Sequence, residues 1–141
     1  MNLFKLHSNP EQLARYNDML KVPELSYEYA EDKGKRVPEA EPVIMKDPEW
    51  AYMYAFHILK GQRWPEAEPY IMKDPDSVYT YARYILKGQR WSEAEPYIMK
   101  DPESAYWYAR NIIEDRWPEA EPYIMKDPVW WKKYKSDFGI K

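Results

Sequence analysis

The sequence contains no cysteine and only two histidines among its 141 residues. The lack of cysteine excludes disulfide bonds, thiolate zinc sites and cysteine nucleophiles, and it fits a reducing cytosol. The two histidines, His7 and His57, are too few for a zinc cluster and do not occur in an HExxH spacing. We therefore expect no metal site and interpret both histidines as surface or boundary residues.

Glycine is also scarce, with 4 residues in the whole chain. No GxGxxG or Walker phosphate loop and no GxSxG nucleophile elbow can be formed from the sequence. The familiar motifs of nucleotide-dependent and hydrolytic catalysis are therefore missing. We predict that the protein is not an enzyme and needs no cofactor.

No apolar run reaches the length of a signal peptide or a membrane span. The 21 basic and 24 acidic residues leave a formal net charge of -3, which provides no overall field for nucleic acid or an anionic membrane. These features predict a soluble cytoplasmic protein that forms one domain and does not interact with membranes.

A long repeated phrase dominates what the sequence does contain. The stretch RWPEAEPYIMKDP at 63–75 returns with one change at 90–102 and unchanged at 116–128, and the recurring tryptophans are 27 and 26 residues apart. A fixed period of this length is typical of stacked supersecondary units. The copies divide the chain into a degenerate N-terminal cap and half repeat (1–37), three repeats (38–64, 65–91 and 92–117) and a partial repeat with a C-terminal cap (118–141).

Each repeat predicts two helices. The longer helix should begin at an aspartate that precedes proline, because aspartate caps free amides and proline suits the first helical position. It should end at Gly61 or Gly88, and in the third repeat, which lacks that glycine, Asp115 is expected to take the left-handed turn. The four predicted capping residues are Asp47, Asp74, Asp101 and Asp127.

The shorter helix should cover the nine residues of PEAEPYIMK. If Glu66 is its first residue, Pro69 is the fourth and removes no intrahelical hydrogen bond. The paired glutamates of EAE do not face each other on a helix. We interpret them as first-turn charges favoured by the helix dipole rather than as a catalytic pair or metal site.

Comparison of the copies predicts a constant and a varied side of the longer helix. The constant positions favour a packing side and are Ala51, Tyr52, Tyr54, Ala55, Ile58, Leu59, Val78, Tyr79, Tyr81, Ala82, Ile85, Leu86, Ala105, Tyr106, Tyr108, Ala109, Ile112 and Ile113. The varied positions, candidates for binding a protein partner, are Trp50, Met53, His57, Ser77, Thr80, Tyr84, Ser104, Trp107 and Asn111. Trp50, Met53, Tyr84 and Trp107 could instead lie under a neighbouring loop.

Short helical pairs cannot bury an apolar face alone, so the units are expected to stack. The predicted fold is therefore all-α: a right-handed α-solenoid of short two-helix repeats with atypical N- and C-terminal caps. In this arrangement the varied stripes would align along one surface.

The recurring arginines support a second hypothesis, a protein that sequesters nucleotides or binds nucleic acid through an arginine and aromatic ladder. Pairing with glutamates or packing over a ring is the structural alternative. The tail WWKKYK has the same two interpretations, a nucleic-acid or membrane-surface contact and an amphipathic cap. The candidate phosphate-binding arginines are Arg63, Arg83, Arg90, Arg110 and Arg116.

The stretch RWSEAEPYIMKDPESAYWYAR at 90–110 resembles a short repeat of uncharacterised proteins from tailed bacteriophages and large DNA viruses. It is more distantly similar to tetratricopeptide and Sel1-like helical hairpins. The resemblance covers roughly residues 38–128, and Val37, Val43 and the missing third glycine depart from it. The period is shorter than that of tetratricopeptide repeats, so their peptide-binding groove is not transferred.

This resemblance implies a phage-encoded inhibitor or adaptor that blocks a host protein, such as one of an anti-phage defence system. In that case the protein would act in the host cytoplasm. A structural protein that assembles end to end is a third hypothesis, because stacked repeats with imperfect caps can continue from copy to copy.

Overall fold

The structure, a computed structural model, describes residues 9–141, and in this part of the chain helices joined by turns are found without any β-strand. The all-α prediction is confirmed. The helices are α1 (Pro10–Met19), α2 (Pro23–Lys33), α3 (Glu41–Ile44), α4 (Pro48–His57), α5 (Glu68–Ile71), α6 (Pro75–Tyr84), α7 (Glu95–Ile98), α8 (Pro102–Tyr108), α9 (Glu121–Ile124) and α10 (Pro128–Phe138); a π-helical turn, Ala109–Ile113, continues α8.

The long helices begin where the Asp-Pro pairs predict. In α6 the carboxylate of Asp74 accepts a hydrogen bond from the amide of Ser77 at 3.0 Å, and Pro75 occupies the first helical position. Such a cap satisfies an amide that has no partner within the helix. The same cap begins α4, α8 and α10, at Asp47, Asp101 and Asp127.

The short helices are shorter than predicted. α5 is a single turn from Glu68 to Ile71, preceded by a tight turn in which the amide of Ala67 donates to the carbonyl of Trp64 at 3.0 Å. The predicted nine-residue helix was therefore wrong at both ends, because residues 65–67 form the tight turn and the helix ends two residues before Lys73. Pro69 is the second helical residue, where a missing amide hydrogen removes no bond.

The ends of the long helices also differ from expectation. α4 ends at His57, four residues before Gly61, and both Lys60 (φ 56°) and Gly61 (φ 79°) are left-handed. In the third repeat Glu114, not Asp115, takes the left-handed conformation, with φ 60°. Glu114 is therefore equivalent to Lys60 and Lys87, and the residue missing from the third repeat is the left-handed glycine that follows them in the first two repeats.

Packing follows the order of the chain. Each long helix contacts the next, in the pairs α2/α4, α4/α6, α6/α8 and α8/α10, and each short helix packs against the long helix before it. The constant side forms the core: Ala51, Ala55 and Tyr81 have no exposed surface. Tyr52 and Tyr79 are only half-buried, because they lie at the border between the core and the opposite side.

None of the helices within 9–141 is long and apolar enough to cross a membrane.

Candidate functional site

A buried network of side chains joins each repeat to the next. Between the first and second repeats, the guanidinium of Arg63 forms two hydrogen bonds with the carboxylate of Glu68, at 2.8 and 2.9 Å. The hydroxyl of Tyr81 donates to the same carboxylate at 2.9 Å and accepts from the backbone amide of Trp64 at 2.8 Å. We call this arrangement the junction network.

The junction network recurs at the same spacing along the chain. The tyrosine hydroxyl accepts from the backbone amide seventeen residues earlier in all four cases, at 3.0 Å (Val37 to Tyr54), 2.8 Å (Trp64 to Tyr81), 2.7 Å (Trp91 to Tyr108) and 2.7 Å (Trp117 to Tyr134). The corresponding ion pairs are Arg36 with Glu41, Arg63 with Glu68, Arg90 with Glu95 and Arg116 with Glu121.

The network explains the repeated EAE sequence. The second glutamate of each copy is buried, with Glu68 only 8% exposed, while the first, such as Glu66, faces solvent. Sequence reasoning treated the two alike and missed the buried one. The fixed spacing of arginine, glutamate and tyrosine could have identified it. This spacing holds even in the degenerate first copy, which begins with Arg36.

Burial of the network changes the ionisation of its tyrosines. Desolvation raises the pKa of Tyr54 to about 12, although its hydrogen bond from the amide of Val37 acts in the opposite direction. The pKa values of Tyr81, Tyr108 and Tyr134 are raised by the same desolvation. The hydroxyls are therefore neutral donors at physiological pH, and the neighbouring arginine compensates each buried carboxylate.

The opposite side of α4, α6 and α8 carries the varied positions, and we call it the outer surface. His57 and Tyr84 are exposed, whereas Trp50, Met53, Thr80, Trp107 and Asn111 are half-buried. Ser77 and Ser104 are buried, at 5% and 2% exposure, because their position faces the preceding long helix. These two serines are therefore not part of the exposed surface.

The candidate phosphate-binding arginines separate into two groups. Arg63, Arg90 and Arg116 belong to junction networks. Arg83 and Arg110 are exposed on the outer surface: Arg83 donates to the hydroxyl of Tyr79 at 2.8 Å, and Arg110 lies 3.3 Å from the carboxylate of Asp137. The structure does not bring the five side chains together as one ladder.

An exposed group of rings lies across α4 and α6 on the outer surface. The ring of Phe56 lies 5.9 Å from Tyr52, 4.9 Å from His57 and 6.1 Å from Tyr84. Phe56 is 39% exposed and Tyr84 48%. We call these four residues the Phe56 cluster. Sequence analysis missed Phe56, although the other repeats carry Arg83 and Arg110 at its position.

A groove adjoins this cluster between the N-terminal halves of α4 and α6. It encloses about 440 Å³ beside Ser77, and we call it the Ser77 groove. Its lining residues are Glu49, Tyr52, Met53, Asp74, Asp76, Ser77 and Thr80.

The aromatic residues of the C-terminal tail pack against other rings, and both tryptophans are half-buried. The ring of Trp130 lies 5.4 Å from Tyr106, and Trp131 stacks on Tyr134 at 5.5 Å, while Lys132 and Lys133 are exposed. The tail therefore covers the end of the core. This geometry agrees with the amphipathic-cap interpretation.

Within the described part of the chain, no three histidine or carboxylate side chains are grouped so that they could hold a metal ion. His7 lies outside the described residues.

Comparison of the chain with protein-family models, curated proteins and solved structures returned no match.

Proposed function

We propose that the protein is a non-enzymatic binding protein that recognises one protein partner through its outer surface. The Phe56 cluster carries this proposal. Exposed aromatic rings that touch each other across two helices leave apolar area in water, and such residues are the usual anchors of protein interfaces.

The scaffold beneath the cluster supports this role. Each pair of long helices is tied by a hydrogen bond from a backbone amide to a tyrosine hydroxyl and by an arginine–glutamate ion pair beside it. Satisfied buried networks fix one arrangement of the helices, so little conformational freedom is lost when a partner binds. In our proposal the units form a right-handed α-solenoid of the tetratricopeptide and Sel1-like class, which displays the outer surface continuously.

The viral resemblance favours a host protein as the partner, with this protein acting in the host cytoplasm as an inhibitor or adaptor. This part of the proposal rests on the resemblance alone. The outer surface supplies the recognition chemistry that such a role requires.

A protein partner is better supported than a nucleotide. The side chains of Arg63, Arg90 and Arg116 are about half exposed, but the charge of each is neutralised by a buried carboxylate, which weakens its attraction for a phosphate. Breaking such an ion pair would leave a buried glutamate uncompensated.

End-to-end assembly is also less well supported, because the last helix is capped. Trp131 and Lys135 of α10 occupy the positions of Ala51 and Ala55 in α4, and the ammonium of Lys135 lies 5.9 Å from the ring of Trp131. The alanines are completely buried, whereas both replacements are half-exposed. These bulky residues cover the side on which a further long helix would pack, so we expect a monomer.

Affinity capture from the lysate of the host bacterium tests the proposal. The wild-type chain should retain one protein in stoichiometric amount, and Phe56→Ala combined with Tyr84→Ala should lose it. The control is Tyr97→Ala with Met125→Ala, which removes residues of similar exposure, 46% and 51%, near the short helices. Retention by the cluster variant, or equal loss in the control, would refute the assignment of the outer surface.

A further inference from the structure

The first and last pairs of long helices share a contact that fills the space between them. The ring of Trp50 in α4 lies 5.2 Å from Tyr27 in α2. At the other end, the ring of Trp130 in α10 lies 5.4 Å from Tyr106 in α8. Both tryptophans occupy the third position after the N-cap aspartate, and both tyrosines occupy the fifth position after the N-cap residue, which is Val22 in α2 and Asp101 in α8.

The pair α4/α6 lacks this filler. At the position of the tryptophan, α6 carries Ser77, which is buried and donates its hydroxyl hydrogen to Asp74 at 2.5 Å. The tyrosine at the matching position, Tyr52, is present and half-exposed. The Ser77 groove lies where the two terminal pairs carry a tryptophan ring. The groove is therefore a specific departure from the packing of those pairs.

The pair α6/α8 also has a serine, Ser104, at the position of the tryptophan. In this pair, however, side chains of the protein itself form hydrogen bonds across the two helices. The hydroxyl of Ser104 donates to the carboxylate of Asp76 at 3.0 Å. The amide of Asn111 donates to the hydroxyl of Tyr79 at 2.9 Å. The α4/α6 pair therefore stands apart from both kinds of neighbour.

The walls of the Ser77 groove are acidic. Glu49, Asp74 and Asp76 line it, and no lysine or arginine of the described residues forms an ion pair with any of them. The buried glutamates of the junction networks, in contrast, each have an arginine. Asp74 and Asp76 accept hydrogen bonds from Ser77 and Ser104, but these donors are neutral. Carboxylates without a basic partner beside a ring attract a cationic, planar group.

We propose that the Ser77 groove binds an arginine side chain of the partner protein. This inference deepens the proposed function and rests on it. The guanidinium takes the place of the missing indole against Tyr52 and donates hydrogen bonds to Glu49 and Asp76. Arginine fits better than lysine because its flat, delocalised cation can stack on a ring and pair with carboxylates simultaneously. The groove lies beside the Phe56 cluster and shares Tyr52 with it, so one partner can occupy both.

An amide nitrogen–proton NMR titration of the full chain tests the groove without knowledge of the partner. The probe is N-acetyl-arginine N-methylamide, and the control ligand is the citrulline analogue, which has the same shape without the charge. We expect the arginine probe to shift the amides of residues 49–53, Asp74 and residues 76–80, weakly and with suppression by salt, and the citrulline analogue to leave them unchanged.

Variants locate the site. Ser77→Trp restores the filler of the other pairs and should abolish the shifts. Glu49→Gln with Asp76→Asn keeps the shape and hydrogen-bond acceptors of the groove and should weaken binding about fivefold or more. Glu103→Gln, the equivalent of Glu49 in α8, should change nothing. The spectrum of each variant shows whether it is folded. If Ser77→Trp misfolds, the variant Glu49→Gln with Asp76→Asn still tests the site.

Equal shifts with citrulline, shifts that survive Glu49→Gln with Asp76→Asn, or no shifts at all would overturn the proposal. These results are distinguishable from failure of the proposed function. If capture of a partner depends on Phe56 and Tyr84 but not on Glu49 and Asp76, the binding function stands and the arginine site does not.

Discussion

The two sides of the long helices obey different rules. On the inner side the same tyrosine, alanine and isoleucine positions return in each repeat, together with the arginine and glutamate of the junction network. On the outer side, one equivalent position is occupied by His57 in the first repeat, Tyr84 in the second and Asn111 in the third. The inner side is constrained because each junction tyrosine and glutamate there has a fixed partner in the preceding unit. Contacts on the outer side, such as that of Asn111 with Tyr79 or of Phe56 with Tyr84, differ from one pair of helices to the next.

Two tyrosines on α6 test the difference between the two sides most strongly. Tyr81 is completely buried in a junction network, and Tyr84, three residues later, is 48% exposed. Tyr81→Ala should lower the free energy of unfolding by about 3–5 kcal/mol, because it leaves a cavity and strands the amide of Trp64. Tyr84→Ala should change it by less than about 0.5 kcal/mol. Urea unfolding monitored by circular dichroism measures both, and equal losses would show that the two sides do not differ.

Alkaline pH should weaken the inner side selectively. Tyrosine in an unfolded chain has a pKa near 10, whereas burial raises that of Tyr54 to about 12 in the folded state. The unfolded state therefore loses its proton first, so stability is unaffected below pH 10 and falls as pH rises from 10 to 12. Linkage allows a loss of up to about 2.7 kcal/mol from this residue.

Urea unfolding at stepped pH values tests this expectation. The variant Tyr54→Phe has no hydroxyl to ionise and should show a shallower decline. A constant free energy of unfolding between pH 10 and 12 would contradict the assigned burial of the tyrosine hydroxyls.

A smaller change isolates the hydrogen bonds from the packing. Tyr108→Phe keeps the ring but removes the hydroxyl that accepts from the amide of Trp91 at 2.7 Å. We expect a loss of about 1–2 kcal/mol, because a buried amide is left without a partner. Tyr97→Phe, at an exposed position, is the matched control and should be neutral. Chemical denaturation of the two variants side by side distinguishes them.

The sequence predicted the parts of this fold that depend on local chemistry. Aspartate before proline identified the helix starts, and the recurrence of small and aliphatic residues identified Ala51, Ala55 and Ile85 as core. The buried role of Glu68 was missed, because a first-turn glutamate is ordinarily exposed and its partners are five and thirteen residues away. Burial of Ser77 and Ser104 was missed for a related reason: the helical period places them on the varied side, but the neighbouring helix covers that edge.

The smallest predicted effect concerns the one place where the inner repeat is irregular. Glu114 adopts a left-handed conformation in the third repeat, where the first two repeats have Gly61 and Gly88 after a left-handed lysine. Glu114→Gly should stabilise the protein by about 0.5–1 kcal/mol, since glycine tolerates this conformation without strain. Thermal unfolding compares it with Asp115→Gly, whose backbone is not left-handed and which should bring no gain. A gain in the control alone would place the turn one residue later.

The central claim is that the inner side holds the protein together while the outer side binds. Its most direct test is the affinity of the captured partner for the double variant Phe56→Ala and Tyr84→Ala, measured by calorimetry beside its free energy of unfolding. We predict that the variant binds at least about tenfold more weakly, because it has lost aromatic anchors. Its free energy of unfolding should stay within about 1 kcal/mol of the wild-type value. Full affinity in this variant would contradict the central claim.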